Sequence, residues 1–388
     1  MLDLAGSWKL AQADGKHSTT MAIPGDVHSA LIAAKIIPDP YIGRNEYDVR
    51  WVAEEEWVAS RTFEWDGGAG HWHLDIDYLD TVAEIRINGK KVLEADNCFR
   101  RYKPDVTKAL KRGTNKIEIR FLSNVKEAAK RQKAQPYYVP YSLGNCPIPD
   151  GNMLRKPACH FGWDWNLAIM PFGAYGNVKL EHAVSTRVQH VLSSQIHNAD
   201  GSVDVDLTVL LHKFNSKDAG VSIHFGDERR HIIINGDNHT ERFHIANPQF
   251  WWPSGLGKQK LYGFHVRCED QLIFHRVGLR EIELITTKDE VGSRFALKVN
   301  GKEVFCRGAN WIPADALPSR ATPELTRKLL QAAVDANMNM IRVWGGGYYE
   351  QDWFYDLCDE LGLMVWQDFQ FACNLYPATK EFLREAHA

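Results

Sequence analysis

Alternation of apolar and polar positions organises the first two-thirds of the chain. HWHLDIDYL (71–79) sets Trp72, Leu74, Ile76 and Tyr78 against His71, His73, Asp75 and Asp77, the period of two expected of a strand with one buried and one wet face. VAEIRI (82–87) passes through Asn88-Gly89 into KKVLEA, a two-residue turn between alternating runs that predicts a hairpin. NKIEIRF (115–121) alternates again, with Ile117, Ile119 and Phe121 inward. Long Gly/Pro-rich connections, the largest at 123–176, separate these runs, and residues 1–182 read as a jelly-roll β-sandwich. A second all-β unit follows over 183–283, where SVDVDLTVL (202–210) points Val203, Val205, Leu207 and Val209 to one side. Its short, closely spaced strands predict an immunoglobulin-like sandwich, most simply a spacer.

From residue 284 to 388 the period changes. RFALKVNGKEVF supplies a lead-in hairpin with an Asn-Gly turn at 300–301. Strand-like VFCRGANW (304–311), MIRVWGGG (340–347) and LMVWQDFQF (363–371) then alternate with helical segments at 322–339 and 350–362. Thr322 as N-cap, Pro323 at the first helical position and Glu324 near the positive end of the dipole start the first helix. Leu325, Leu329, Leu330 and Ala333 form its expected buried face. Trp353, Phe354, Leu357, Cys358 and Leu361 do so in the second helix, which Gly362 stops. Strand–helix–strand–helix–strand is the opening of a (β/α)8 TIM barrel, whose sheet needs eight strands to close. The fold class is therefore multidomain: jelly-roll β-sandwich, immunoglobulin-like β-sandwich and an incomplete TIM barrel.

Composition narrows the function classes. At 44% hydrophobic and 24% charged residues with formal net charge −3, there is no electrostatic case for nucleic acid or an anionic membrane. No apolar run approaches the ~20 residues of a spanning helix. MLDLAGSWKL lacks a basic segment followed by an apolar core, so a cytoplasmic location is expected. The seven cysteines are scattered and form no CxxC pair, which argues for reduced thiols and against a zinc site. No cofactor is implied. HWH at 71–73 puts two imidazoles on one side of a strand, but no third ligand is near and a solvated face is the simpler reading. WGGGYYE (344–350) lacks the GK[ST] ending of a phosphate loop.

Three clusters carry candidate chemistry. FGWDWN (161–166) places Trp163 and Trp165 around Asp164: indoles can stack on a pyranose while the carboxylate accepts bonds from adjacent hydroxyls. The alternative is that the aromatics plug the sandwich edge and Asp164 caps a turn. RVWGGG carries Arg342 and Trp344, and WQDF carries Trp366 and Asp368, each pair on one face at a strand's carboxyl end, where barrel enzymes place their sites. Packing and salt bridging within the barrel is the alternative there. Glu350 and Asp352 read as helix-start residues.

With these residues in hand, the chain resembles the β-mannosidases of glycoside hydrolase family 2 from end to end. The resemblance rests on IPGDVHSALIAAKIIPDPYIGRNEYDVRWV (23–52), INGKKV, FRRYKPDVT, RKPACHFGWDWN, VNGKEVFCRGANWIPAD, NMIRVWGGGYYE and WQDFQFACNLYP. It implies exo-hydrolysis of terminal β-D-mannose from the non-reducing ends of β-mannoside oligosaccharides. It also implies that the GWDW loop reaches over the barrel mouth, with Trp163, Asp164, Trp165, Arg342, Trp344 and Asp368 as substrate-binding residues. Family chemistry is retaining, through two glutamates about 5–5.5 Å apart. Both sit on later barrel strands, the acid/base one in an Asn-Glu pair after the WQDF motif. No Asn-Glu pair follows Cys373 here. No catalytic residue is therefore assigned, and the expectation is an N-terminal portion that is inactive alone, both glutamates lying beyond Ala388. Two alternatives are a non-catalytic carbohydrate-binding protein and an exo-β-glucosaminidase-like specificity. The oligomeric state is not legible.

Overall fold

The computed structural model describes residues 1–387. The first unit is a β-sandwich. A six-stranded antiparallel sheet runs in the order Ser18–Ile23, Gly6–Gln12, Trp57–Trp65, Gly113–Phe121, Ala83–Ile87, Lys90–Ala95. Opposite it stand two three-stranded sheets, one of Leu2–Asp3, Val178–Ala183 and His71–Ile76, the other of Gly25–Asp26, Gly173–Ala174 and Leu79–Asp80. Trp8, Trp57, Ile85, Ile117, Ile119, Phe121, Leu74, Ile76 and Leu180 are buried in the single core between them. The Asn88-Gly89 turn takes the left-handed backbone (φ 51° and 79°) that closes Ile87 onto Lys90.

The strand at His71–Ile76 corrects the sequence reading of a wet polar face. His73 and Asp75 are buried, because long-range neighbours cover that side. Phe214 of the second unit stacks on His71 at 4.3 Å and lies 5.0 Å from His73. Arg101, Lys103 and Lys179 surround Asp75. Burial pushes the Asp75 carboxyl up, but the Arg101 hydrogen bonds and the nearby cations outweigh it and hold the group below its ordinary range.

The second unit packs the three-stranded sheet Thr186–His197, Val203–Lys213, Asn238–Ile245 against the four-stranded sheet Glu228–Ile234, Ala219–Phe225, Tyr262–Cys268, Gln271–Val277. Val203, Val205, Leu207 and Val209 point into its core with Ile223, Phe243 and Val266, as the alternation predicts. Arg276 reaches Glu360 at 2.8 Å and Arg280 reaches Asp359 at 2.7 Å, tying this unit to a helix of the third.

The third unit opens with an antiparallel lead-in, Ile282–Ile285, Ala296–Val299 and Lys302–Val304. Three parallel strands follow, Gly308–Trp311, Met340–Val343 and Met364–Gln367, in chain order across the sheet. Helices Pro323–Asp335 and Asp352–Leu361 cover one face, burying Leu330, Ile341, Val343, Phe354, Leu357 and Cys358. Thr322 caps the first helix as expected, accepting from Leu325 N at 3.3 Å. Its buried face differs: Leu329 is exposed and Thr326 buried, so the stripe is rotated from the expected one. On the other face Met340 and Met364 pack at the amino end against Trp251, Val299 and Val304. Phe305 (84% exposed) and Phe369 (79% exposed), just outside the strands, are open to solvent.

Asp26 joins the first and third units. It caps the helix Val27–Ala33, its Oδ1 accepting from Ser29 N at 2.7 Å, and its Oδ2 accepts from the Ser319 hydroxyl and from Ser319 N at 3.3 Å. Asp26→Ala removes a cap and leaves the half-buried Ser29 and Ser319 donors unpaired, an expected loss of about 1.5–3 kcal/mol. Urea denaturation measures it. A loss below about 1 kcal/mol would show that this tie contributes little.

Candidate functional site

The FGWDWN loop leaves the short 3-10 turn Ala158–Phe161 through Gly162, whose φ of 100° is left-handed and whose missing Cβ would meet Pro147 at 2.5 Å. Asn166 Nδ2 donates to Cys159 O at 2.7 Å and closes the loop at its base. Glu46 accepts from Ala168 N at 3.2 Å, and Arg50 Nε donates to Ala168 O at 2.9 Å. Residues of the 23–52 motif thus brace the loop from below. Trp163 is left half-buried, while Asp164 and Trp165 are exposed.

Across from it, the strand Met340–Val343 delivers Trp344 onto a run of three glycines. A Cβ on Gly346 would lie 1.9 Å from the Trp344 ring, so the indole rests directly on peptide backbone. Trp163 meets Trp344 edge-to-face at 4.8 Å between ring centroids, and Trp165 meets it at 5.8 Å. Two indoles of the first unit and one of the third therefore make one aromatic corner.

Beside that corner lies a fixed polar array. The parallel register sets Asn310 beside Arg342. Arg342 Nε and Nη2 donate to the two Asp368 oxygens at 3.2 and 2.5 Å, and Nη1 donates to Asn310 Oδ1 at 3.1 Å. Gly345 N also donates to Asp368 at 3.1 Å. The salt-bridge alternative for Arg342 and Asp368 is thus present, and it orients both groups. Trp366, on the same strand face as Asp368, turns instead towards Phe295, at 5.7 Å between centroids.

All six sequence-derived positions are on these two facing elements: Trp163, Asp164 and Trp165 on the loop, Arg342, Trp344 and Asp368 at the strand ends. Sequence reasoning missed Asn310, though it sits two residues from Gly308 on the Arg342-facing side of its strand and alternation flags it. It also missed His160 and Tyr348, which meet beneath the loop; a histidine in an otherwise apolar run was the available signal.

Glu350 corrects its reading as a helix-start residue. The helix begins at Asp352 after Gln351 as N-cap, and the Glu350 carboxyl accepts from Trp311 Nε1 at 2.9 Å. Burial raises its pKa to about 7, the Trp311 bond opposing this.

The chain thus combines a β-sandwich, an immunoglobulin-like sandwich and a parallel α/β unit, the first and third of which meet at an aromatic corner. The family description "Glycosyl hydrolase 2 galactose-binding domain-like" matches residues 8–176, and "Glycosyl hydrolases family 2" matches residues 177–280. The chain belongs to glycoside hydrolase family 2. It is 37% identical to the β-mannosidase of Capra hircus over 98% of its own length and 46% of that protein's. It is 37% identical to β-mannosidase B of Aspergillus fumigatus over 93% of this chain and 44% of that one. The chain thus spans about half the length of the curated relatives it matches. A crystal structure of β-D-mannosidase from Dictyoglomus thermophilum superposes with a TM-score of 0.93 at 33% identity, over 99% of this chain and 49% of that one. An exo-chitosanase from Amycolatopsis orientalis shares the fold at a TM-score of 0.72 and 16% identity.

The Glu350 carboxyl has a definite pH signature. Its pKa is about 7 in the folded chain against an ordinary 4.5, so the folded state holds a proton that the unfolded state has lost between those values. Its contribution to stability is full below 4.5 and falls as pH rises through about 7. Glu350→Gln keeps the acceptor for Trp311 and cannot ionise. The variant is expected to be more stable than the parent by about 1–3 kcal/mol at pH 8 and nearly equal at pH 4. Urea denaturation at both pH values checks this; destabilisation at pH 8 would contradict it.

Proposed function

We propose that this chain forms the terminal-sugar subsite of an exo-β-mannosidase, a retaining glycoside hydrolase that releases β-D-mannose from the non-reducing ends of β-mannoside oligosaccharides. The proposed division is a sugar-binding-type sandwich at 1–182, an immunoglobulin-like unit at 183–283 and, at 284–388, the first three β/α units of a TIM barrel. One observation carries the reading: Trp163 and Trp165 of the first unit close on Trp344 of the third at 4.8 and 5.8 Å.

That geometry suits a pyranose. An indole face of the corner offers apolar ground for the C–H face of the sugar, and the exposed Asp164 carboxylate can accept from two neighbouring hydroxyls. Arg342 donates and Asp368 accepts, each already oriented by the other, so little reorganisation is needed when a sugar arrives. A loop standing over one side of the cleft favours a chain end over the middle of a polymer, hence exo action. No acid/base or nucleophile is assigned to residues 1–388. For this chain the proposal is sugar recognition, and the paired-carboxylate chemistry belongs to the proposed whole enzyme.

Isothermal titration with methyl β-D-mannoside is expected to show saturable, millimolar-range binding, weakened about 5–30-fold by Trp163→Ala or Asp164→Asn. Equal affinity for the β-glucosaminide would favour the glucosaminidase-like alternative. Incubation of the 388-residue chain with an aryl β-mannoside is expected to give no steady turnover. Turnover above a buffer control would mean that a catalytic pair lies among these residues after all.

A further inference from the structure

Beneath the FGWDWN loop, ionisable side chains from two units converge with almost no access to water. Asp80 stands at the end of the strand Leu79–Asp80, and its Oδ1 accepts from Lys156 Nζ at 2.6 Å. Its Oδ2 accepts from Tyr175 OH at 2.9 Å and faces His160 Nδ1 at 3.3 Å. On the far side of the imidazole, Nε2 lies 2.6 Å from the hydroxyl of Tyr348, the residue that follows the three glycines of the third unit. Asp80 and His160 belong to the first unit, so the His160–Tyr348 bond crosses the seam between the two elements that build the aromatic corner.

The proton positions follow from charge. Burial alone would raise the Asp80 carboxyl, but Lys156 and then His160 hold it below its ordinary range, so it is a carboxylate. Burial, aided by Lys156, lowers His160 to about 4, so its ring is neutral and carries one N–H. The Asp80 carboxylate 3.3 Å from Nδ1 is not aligned as a hydrogen bond, but its charge favours the proton on that nitrogen over a lone pair facing it. Nε2 is then the acceptor, and Tyr348, whose hydroxyl burial keeps protonated, donates to it. Asp80 selects the imidazole tautomer, and the tautomer selects Tyr348 as donor.

We infer that Asp80, His160 and Tyr348 are positioning residues that hold the FGWDWN loop in register with the glycine run and so set the packing geometry of the indole corner. The lever arms are short. His160 precedes Trp163 by three residues, and Tyr348 follows Trp344 by four, three of them glycines with no side chain to resist sliding. A parallel backbone bond, Cys159 N to Gly346 O at 3.0 Å, lies between them. It fixes one point; the His160–Tyr348 bond supplies the second, which removes rotation about the first. The inference rests on the sugar-cleft reading for its functional meaning but not for its geometry.

Near-UV circular dichroism of the full chain tests it, because edge-to-face indoles at 4.8 Å couple and give a signal that Trp163→Phe identifies. Tyr348→Phe removes only the hydroxyl and is expected to lose that signal with the far-UV spectrum unchanged, while affinity for methyl β-D-mannoside falls about tenfold. His160→Gln, which keeps an acceptor, is expected to retain the signal, and His160→Leu to lose it. An unchanged indole signal in Tyr348→Phe overturns the inference. Should that variant not be recovered folded, the His160→Gln and His160→Leu pair decides, and equal behaviour of the two overturns it. If the parent binds no mannoside while the signal still follows the hydrogen bond, the positioning stands and the sugar reading fails.

Discussion

Everything proposed for this chain depends on one seam, where the turn at 158–161 of the first sandwich lies against the glycine run at 345–347 of the parallel unit. The seam is polar as well as apolar: Cys159 N bonds Gly346 O, and Tyr348 bonds His160. Such groups are costly to bury unless each finds its partner, so the two units fit well in one register and poorly in neighbouring ones. Within the third unit, the missing Cβ of Gly346 leaves room for the Trp344 ring that the first unit's indoles meet. The aromatic corner is the solvent-facing edge of this seam, and its dimensions are those that the buried contacts allow.

The charges on either side are arranged differently, and the difference matters for function. Under the loop, the Asp80 carboxylate is neutralised by Lys156 and inaccessible, which suits a structural role. At the rim, Arg342 and Asp368 are paired but partly exposed. An exposed pair adds little stability; its value lies in presenting a donor and an acceptor in set directions. Asp164, on the loop, is exposed.

Features that depend on local chain were legible in the sequence. The Asn-Gly turns at 88–89 and 300–301, the Val203–Val209 alternation, the Thr322 cap and the Gly362 stop all lie where the pattern put them. The pattern also singled out the residues of two observed contacts, Trp163 and Trp165 with Trp344 and Arg342 with Asp368, because alternation places side chains on a strand face. What escaped was decided at long range. Nothing near His73 and Asp75 announces that Phe214, Arg101 and Lys179 will cover them. Nothing near Leu329 shows that no neighbour covers it, and nothing near Glu350 shows that Trp311 will take its carboxyl in place of a helix dipole.

The central claim is that two units share one sugar pocket. The most direct measurement is a crystal structure of the chain soaked with methyl β-D-mannoside. The account expects the pyranose against the Trp163–Trp165–Trp344 corner, with hydroxyls within hydrogen-bond reach of Asp164 and of Arg342 or Asp368. A sugar bound elsewhere, or an empty corner at saturating concentration with its lattice contacts clear, would contradict it.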